Sequence, residues 1–312
     1  MQTPVPPGST TARDGLLIAL AVVTLVYLVV FARALWLRAK AGEKISTPFP
    51  IWVVSFVANF FDTLGIGSYA TTTTMFRPWK MVPDETLPGT LNVGYVIPTV
   101  VETFIFMTIV HVDATTLISM IAAAMAGAWF GAGVVSSFSR RKVQIGMGAC
   151  LIGLALVMAG KSLGVLPPGG TLIGLSGASL VIGVVGNFLL GSLMTLGIGM
   201  YAPCMILVSL LGMNPITAFP IMTGSCAFLM PIASIKFVRT GRFDVKAMIG
   251  MTLAGIPAVL IAAFIVKTLP LNVLQWVVVV VVIYTATNML LAARRERALA
   301  MAATMAGATP AL

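Results

Sequence analysis

Two carboxylic acids lie deep in apolar sequence, and they are the residues of this chain best placed to carry chemistry. Each ends a polar series spaced i, i+4, i+7, which puts three side chains on one helix face: Ser55, Asn59 and Asp62, and then Tyr95, Thr99 and Glu102. Placing a carboxylate in a bilayer costs at least ~2.5 kcal/mol on insertion scales. We therefore predict that Asp62 and Glu102 exchange protons at a membrane-embedded site. The alternative is a protonated acid that only hydrogen-bonds a neighbouring helix.

The composition is that of a membrane protein. Apolar residues make up 59% of the 312 positions, charged residues make up 9%, and the mean hydropathy is +1.04. Since ~20 nearly uncharged residues cross a bilayer as a helix, the recurring apolar runs predict an all-α polytopic membrane protein. The net charge of +10 comes from Lys and Arg between those runs. This placement is typical of topology signals and argues against nucleic-acid binding.

No motif indicates an enzyme. The zinc-hydrolase, phosphate-loop, serine-hydrolase and dinucleotide patterns do not occur in a suitable context. The three cysteines, Cys150, Cys204 and Cys226, lie in apolar segments without Cys-x-x-Cys spacing, so neither a disulfide framework nor a metal site is expected. We predict no catalytic residue, no metal and no cofactor.

Seven apolar segments are predicted to cross the membrane as continuous helices. They are 16–37, 91–110, 114–137, 143–159, 216–235, 247–266 and 271–291. Two further segments, 51–76 and 172–211, carry glycines in their middle. Residues 63–70 read TLGIGSYA and residues 195–202 read TLGIGMYA, which agree at seven of eight positions at an offset of 132. This indicates an internal duplication, although small residues could also recur for helix packing alone.

Basic residues predict the orientation, because Lys and Arg are enriched in cytoplasmic loops. Sixteen of the nineteen fall in five clusters, at 33–44, 77–80, 140–142, 236–246 and 294–297. All five can be cytoplasmic only if segment 51–76 returns to its side of entry, because its 26 residues are too few for two crossings. We predict a re-entrant hairpin broken at Gly65 and Gly67, and an oppositely oriented hairpin broken at Gly197 and Gly199.

An inverted-topology repeat with two broken re-entrant hairpins is typical of secondary transporters. The predicted organisation has four parts: an N-terminal transmembrane helix with a cytoplasmic basic loop (1–48), a first repeat (49–165), a second, inverted repeat (166–293) and a cytoplasmic tail (294–312). The N-terminus is predicted outside and the C-terminus in the cytoplasm. We further expect Gly65 and Gly197 near the midplane, within ~10–12 Å of each other.

The start of each half-helix after a break is the predicted binding site. Its free N–H groups and positive dipole end favour an anion, and no Lys or Arg lies deep in the apolar segments. The predicted substrate-binding residues are Asn59, Gly65, Gly67, Ser68, Tyr69, Thr71, Thr72, Asn92, Gly197, Gly199, Tyr201, Cys204, Thr223 and Ser225. For the hydroxyl residues, the alternative is a hydrogen bond to the preceding turn of their own helix.

The paired glycine motifs, at 59–74 and 186–211, with Pro203 after the second break and the stretch 212–244, resemble the sulfite exporter TauE/SafE family of membrane permeases. The resemblance extends over about 49–291, which leaves the first helix and the tail outside it. Second motifs of that family often carry three glycines, whereas this chain has Gly-Ile-Gly at 197–199. The resemblance implies a bacterial inner-membrane permease that moves sulfite or another organosulfur anion with proton coupling.

The predicted function is therefore a proton-coupled anion transporter that works by alternating access. Its predicted partners are a small anion, the lipid bilayer and protons, with no nucleic acid. Two alternatives stay open from the residues alone. One is a passive anion channel of the same fold, and the other is a membrane-embedded thiol or sulfur-relay protein that uses Cys204.

Overall fold

Helices account for almost all of the chain that the computed structural model describes. The described residues are 7–40, 42, 46–65, 67–83, 85–135, 170–194 and 199–268, with scattered residues between 145 and 163 and between 273 and 295. The helices bounded in these ranges are α1 Pro7–Lys40, α2 Phe49–Thr63, α3 Ser68–Phe76, α4 Leu87–Ile109, α5 Ala114–Val135, α6 Gly177–Met194, α7 Tyr201–Leu210, α8 Ala218–Thr240 and α9 Val245–Thr268.

Within the described ranges, five helices are long and apolar enough to cross a membrane. Four of them, α1, α4, α8 and α9, coincide with predicted spans. The fifth is α6, with 18 residues, which the sequence predicts as the first arm of a hairpin. α5 starts at residue 114, as predicted. The predicted spans at 143–159 and 271–291 are only partly described, and the residues of them that are described are helical. The chain is an all-α polytopic membrane protein.

The first hairpin consists of α2 and α3, which are separated by a break at two glycines. Gly65 has φ +95° and Gly67 has φ +87°. Residues that have a Cβ rarely adopt this backbone conformation. A helix cannot continue through residues in this conformation, so α2 ends at Thr63 and α3 starts at Ser68.

Both ends of this hairpin lie at the end of the bundle where α4 begins. Thr47, just before α2, donates its hydroxyl hydrogen to the carbonyl oxygen of Lys246 at 2.6 Å. Gly89 in the first turn of α4 lies against the carbonyl of Arg242, in the loop that also leads to Lys246. Trp79, which follows α3, lines one groove with residues 48–51 at the start of α2.

The second hairpin consists of α6 and α7, and its ends lie at the other end of α4. Leu172, before α6, forms a short bridge with Met213, after α7, and the amide of Asn214 donates to the Leu172 carbonyl at 2.9 Å. The amide of Asp113, which follows α4, donates to the carbonyl of Ile173 at 2.8 Å. The two hairpins therefore open at opposite ends of α4.

Each hairpin is covered by a helix from the other half of the chain. α2 packs against α9, α6 packs against α5, and α4 packs against α8 at the centre. The α5 and α6 backbones approach closely, because a Cβ at Gly127 would overlap the Phe188 carbonyl and one at Gly191 would overlap the Ala124 carbonyl. Small residues permit such contact between membrane helices. Each half of the chain therefore contributes a helix that packs against the hairpin of the other half.

An aspartate caps the first turn of α5 and another caps the first turn of α9. Asp113 Oδ2 accepts the amide hydrogen of Thr116 at 2.9 Å at the start of α5. Asp244 Oδ1 accepts the amide hydrogen of Ala247 at 2.8 Å at the start of α9. Both carboxylates act as N-caps, which satisfy donors that the first helical turn leaves free.

Candidate functional site

Asp62 lies at the end of α2, with 4% of its surface exposed. Its Oδ1 accepts the amide hydrogen of Ser68 at 2.7 Å, and the Ser68 hydroxyl also bonds the carboxyl group. Ser68 is the first residue of α3, so this carboxyl group caps α3 across the glycine break. A negative group is favoured at the positive end of a helix. The place at α3 that the sequence predicts for a substrate anion is therefore held by a side chain of the protein itself.

Glu102 connects α4 to the second hairpin. It is completely buried, and its Oε2 accepts a hydrogen bond from the hydroxyl of Tyr201 at 3.4 Å. Tyr201 is the first residue of α7, and Thr99, one turn before Glu102, bonds the same tyrosine. Glu102 Oε1 has no hydrogen-bond partner among the described residues.

Two tyrosines connect α3 to α4. The hydroxyl groups of Thr72 and Tyr95 hydrogen-bond each other, and the ring centroids of Tyr69 and Tyr95 lie 5.9 Å apart. The Tyr69 hydroxyl is buried, and no described residue bonds it. This hydroxyl is a donor that the described part of the fold leaves unused.

These groups form one buried polar region, which we call the central cluster: Asp62, Glu102, Tyr69, Tyr95, Tyr201 and Cys226. Asp62, Glu102, Tyr201 and Cys226 lie within electrostatic range of one another, and Asp62 is also in range of Tyr69 and Tyr95. Neither acid forms an ion pair with a basic side chain in the described chain. The two breaks, α4 and α8 therefore converge on acidic and hydroxyl groups without a paired cation.

The space around the two breaks differs from glycine to glycine. A methyl group added at Gly67 or at Gly199 would meet no atom of the described residues within 4 Å. One added at Gly65 would meet the terminal methyl groups of Met205 and Met222. Open space therefore lies directly before α3 and before α7. Gly197 and its predicted distance to Gly65 lie outside the described residues.

Several predicted binding residues bond their own helix. Thr71 donates to the carbonyl of Gly67 at 3.1 Å, Thr223 to that of Phe219 at 2.8 Å, and Ser225 to that of Ile221 at 2.7 Å. These are the bonds to the preceding turn that the sequence left as an alternative. A bond of this kind does not by itself turn the hydroxyl oxygen away from a ligand, since that oxygen keeps acceptor capacity.

Among the described residues, neither Asn92 nor Cys204 forms a side-chain hydrogen bond to the central cluster. The Asn92 amide donates to the carbonyl of Pro88 in its own helix at 3.3 Å, and its side chain is only partly buried. Cys204 is fully buried with a free thiol, close enough to Cys226 for an electrostatic interaction.

Asn187 is a polar residue that the sequence reasoning missed. Its amide donates to the carbonyl of Met120 at 2.7 Å and to the Ser225 hydroxyl at 3.2 Å. Asn59, in the other hairpin, makes a related contact with the carbonyl of Met251 at 3.5 Å. A single Asn in the apolar first arm of each hairpin was the signal that could have found it.

The first half of the chain carries Asp62, Glu102 and the first glycine break. Residues 7–158 match the family model of the sulfite exporter TauE/SafE. The match covers just under half of the chain and includes α1 to α5, so the predicted TauE/SafE resemblance is confirmed over these residues. The prediction that the first helix lies outside the TauE/SafE region is wrong, because the match begins at residue 7.

The matched family is described as a sulfite exporter, which is a membrane transporter of a sulfur-containing anion. No curated protein and no solved structure matches the chain. α6 to α9 lie outside the matched residues, so the role of the second hairpin depends on the contacts described above.

Proposed function

We propose that this protein is a secondary transporter that moves sulfite or another small organosulfur anion across the bacterial inner membrane, with protons as the coupling ion. The observation that carries the proposal is the contact between Glu102 and Tyr201. It joins a buried acid to the side chain of the first residue of α7, the helix that follows the second glycine break, while Asp62 lies at the first break. Ionisable groups inside a membrane bundle are typical of ion and proton pathways.

Alternating access follows from the relation between the two halves. We propose that α2–α5 and α6–α9 are inverted repeats, with the N-terminus outside and the C-terminus in the cytoplasm. This is supported by hairpins that open at opposite ends of α4, by the exchanged packing of α2 with α9 and α6 with α5, and by the equivalent caps Asp113 and Asp244. Rocking of one such repeat against the other exposes a central site to each side in turn.

The chemistry of the central cluster suits a weakly held anion. Hydroxyl groups and helix N-terminal amides donate hydrogen bonds without a fixed positive charge. A buried Lys or Arg would hold an anion more tightly, and none pairs with the acids in the described structure. Binding by several neutral donors permits release as well as capture.

Reconstituted vesicles test this function. Purified protein should move labelled sulfite, thiosulfate or methanesulfonate into vesicles with saturable kinetics, and an imposed pH gradient should drive accumulation above equilibrium. Small carboxylates are the specificity control. Flux that never saturates and shows no exchange of internal for external anion would indicate a channel. Flux no greater than in protein-free vesicles for the whole panel would overturn the proposal.

Replacing Gly199 with valine tests whether the open space before α7 is used. No protein atom lies within 4 Å of the added Cβ, and the backbone of Gly199 does not have positive φ. We therefore expect G199V to keep the wild-type unfolding temperature but to lose anion flux by about tenfold or more, which corresponds to ~1.4 kcal/mol. The matched control is G15V, because Gly15 in α1 also has no atom within 4 Å. Equal flux in the two variants would mean that the anion does not pass Gly199.

A further inference from the structure

The two buried acids have different environments, and from this difference we infer different roles. Resting on the proposed function, we propose that the anion binds at the N-terminus of α7, that Glu102 carries the proton that binds with it, and that Asp62 is a fixed anion that caps α3.

The N-terminus of α3 already has a carboxyl group of the protein as its hydrogen-bond acceptor. Asp62 bonds both the amide and the hydroxyl of Ser68, so a substrate anion at α3 would meet a carboxyl group of the protein. The second hairpin has no such carboxyl group. The position of the duplicated motif that is Asp62 at the end of α2 is Met194 at the end of α6. The N-cap residue of α7, Met200, forms no side-chain hydrogen bond to the helix. Among the described residues, no carboxyl group bonds a backbone amide at the start of α7, so of the two half-helices α7 is the one whose dipole end is available to a substrate anion.

Donors and space are both present at the start of α7. Pro203 has no amide hydrogen, and the amide of Cys204 already donates to the Met200 carbonyl at 2.9 Å. The amides of Tyr201 and Ala202 are left, and neither bonds another described residue. The open space at Gly199 lies next to them.

The side chain that points to a ligand here is Glu102. It is fully buried, its Oε2 accepts a hydrogen bond from the side-chain hydroxyl of Tyr201, the first residue of α7, and its Oε1 is unpartnered among the described residues. When protonated on Oε1, Glu102 donates a hydrogen bond to an anion held by α7. When ionised, it repels that anion. Anion and proton therefore bind together, and each raises the affinity for the other.

Among the described residues, the titratable groups within electrostatic range of Glu102 are Asp62 on α2, Tyr201 on α7 and Cys226 on α8. The titratable residues of α9, Lys246 and Lys267, lie at its two ends. On α3 the titratable group is Tyr69, which interacts electrostatically with Asp62, Tyr95 and Cys226. On α1 the hydroxyl of Tyr27 donates a hydrogen bond to the Val93 carbonyl. Of the two acids, Asp62 alone has its carboxyl group held by amide and hydroxyl donors of a helix start.

The test measures methanesulfonate binding and uptake by the full-length protein at several pH values. The sulfonate group stays ionised throughout, so a change of pH acts on the protein alone. If one proton binds with each anion, the wild-type apparent Kd should rise by up to about tenfold per pH unit above the pH at which Glu102 ionises. Thiosulfate is the second probe.

Three variants separate the two acids. E102Q keeps a hydrogen-bond donor but cannot exchange a proton, so its Kd should be independent of pH and its gradient-driven accumulation should vanish. E102D keeps an ionisable carboxyl group and should keep the pH slope. D62N can still accept the Ser68 amide hydrogen, so the pH slope should persist even where total flux falls. Unfolding temperatures identify any variant that has lost its fold.

A pH slope that survives in E102Q, or one that disappears in D62N, overturns the division of roles. Either result leaves transport itself intact. If the wild-type protein neither binds nor moves any anion of the panel, the proposed function fails instead, so the two failures are distinct.

Discussion

Replacing Gly65 with alanine should destabilise the protein and reduce anion flux more than the same change at the other glycines of the breaks. Gly65 has φ +95°, and a residue with a Cβ held in such a conformation costs about 1–3 kcal/mol. The new methyl group also collides with the terminal methyl group of Met205, so the flexible end of this fully buried side chain must shift. This overpacking adds about 1 kcal/mol, the lower end of the usual range.

Two other glycines of the breaks, Gly67 and Gly199, provide matched controls. Gly67 has φ +87° but open space around its Cβ position, so G67A includes the strain without the collision. Gly199 has neither. The unfolding temperatures in detergent should therefore rank G199A above G67A and G67A above G65A. Equal unfolding temperatures for all three would mean that the geometry of the first break is not needed for stability.

The membrane-spanning helices could be predicted because their signal, a long apolar run, is visible in the sequence itself. Long apolar runs produced α1, α4, α5, α8 and α9 close to the expected positions, because hydrophobic length is the main requirement for crossing a bilayer. The glycines at 65 and 67 marked the first break for a similar reason, since few other residues adopt positive φ. The polar faces that end at Asp62 and Glu102 are buried, as their spacing predicts.

Partners across the interior could not be predicted in the same way. Glu102 and Tyr201 are separated by 99 positions, and their contact depends on how the second hairpin packs against α4. The packing of α6 against α5 and of α2 against α9 also joins helices from different halves of the chain, and it is visible only in the three-dimensional structure. Asn187 was missed because a single Asn in an apolar helix shows its partner only when that neighbouring helix is known.

The capping role of Asp62 could not be predicted from the sequence, because the glycine break separates Asp62 from the helix that it caps. Helix caps are normally recognised directly before a helix, whereas Asp62 lies six positions before Ser68 and at the end of another helix. The two residues meet because Gly65 and Gly67 turn the chain back sharply. The sequence therefore assigned the same proton-exchange role to both acids, although only Glu102 has an oxygen without a partner among the described residues.

Replacing Asp62 with alanine should destabilise the first hairpin and abolish transport. The Ser68 amide is buried, and its removal from a hydrogen bond leaves an unsatisfied donor that costs about 1–3 kcal/mol. The loss of a negative group at the start of α3 adds about 0.3–1 kcal/mol. Hydrogen exchange of the α3 amides, residues 68–76, should therefore accelerate by roughly tenfold or more, with a lower unfolding temperature.

Two further variants identify the cause. D62N keeps an oxygen for the Ser68 amide and should fall between the wild-type protein and D62A, while S68A keeps the amide bond and loses only the hydroxyl bond. Wild-type exchange at α3 in D62A would contradict the capping role. E102Q, by contrast, should leave exchange at α3 unchanged, because Glu102 bonds Tyr201 and not α3. The two acids then differ in what each controls: Asp62 controls the stability of a half-helix, and Glu102 controls how anion binding depends on pH.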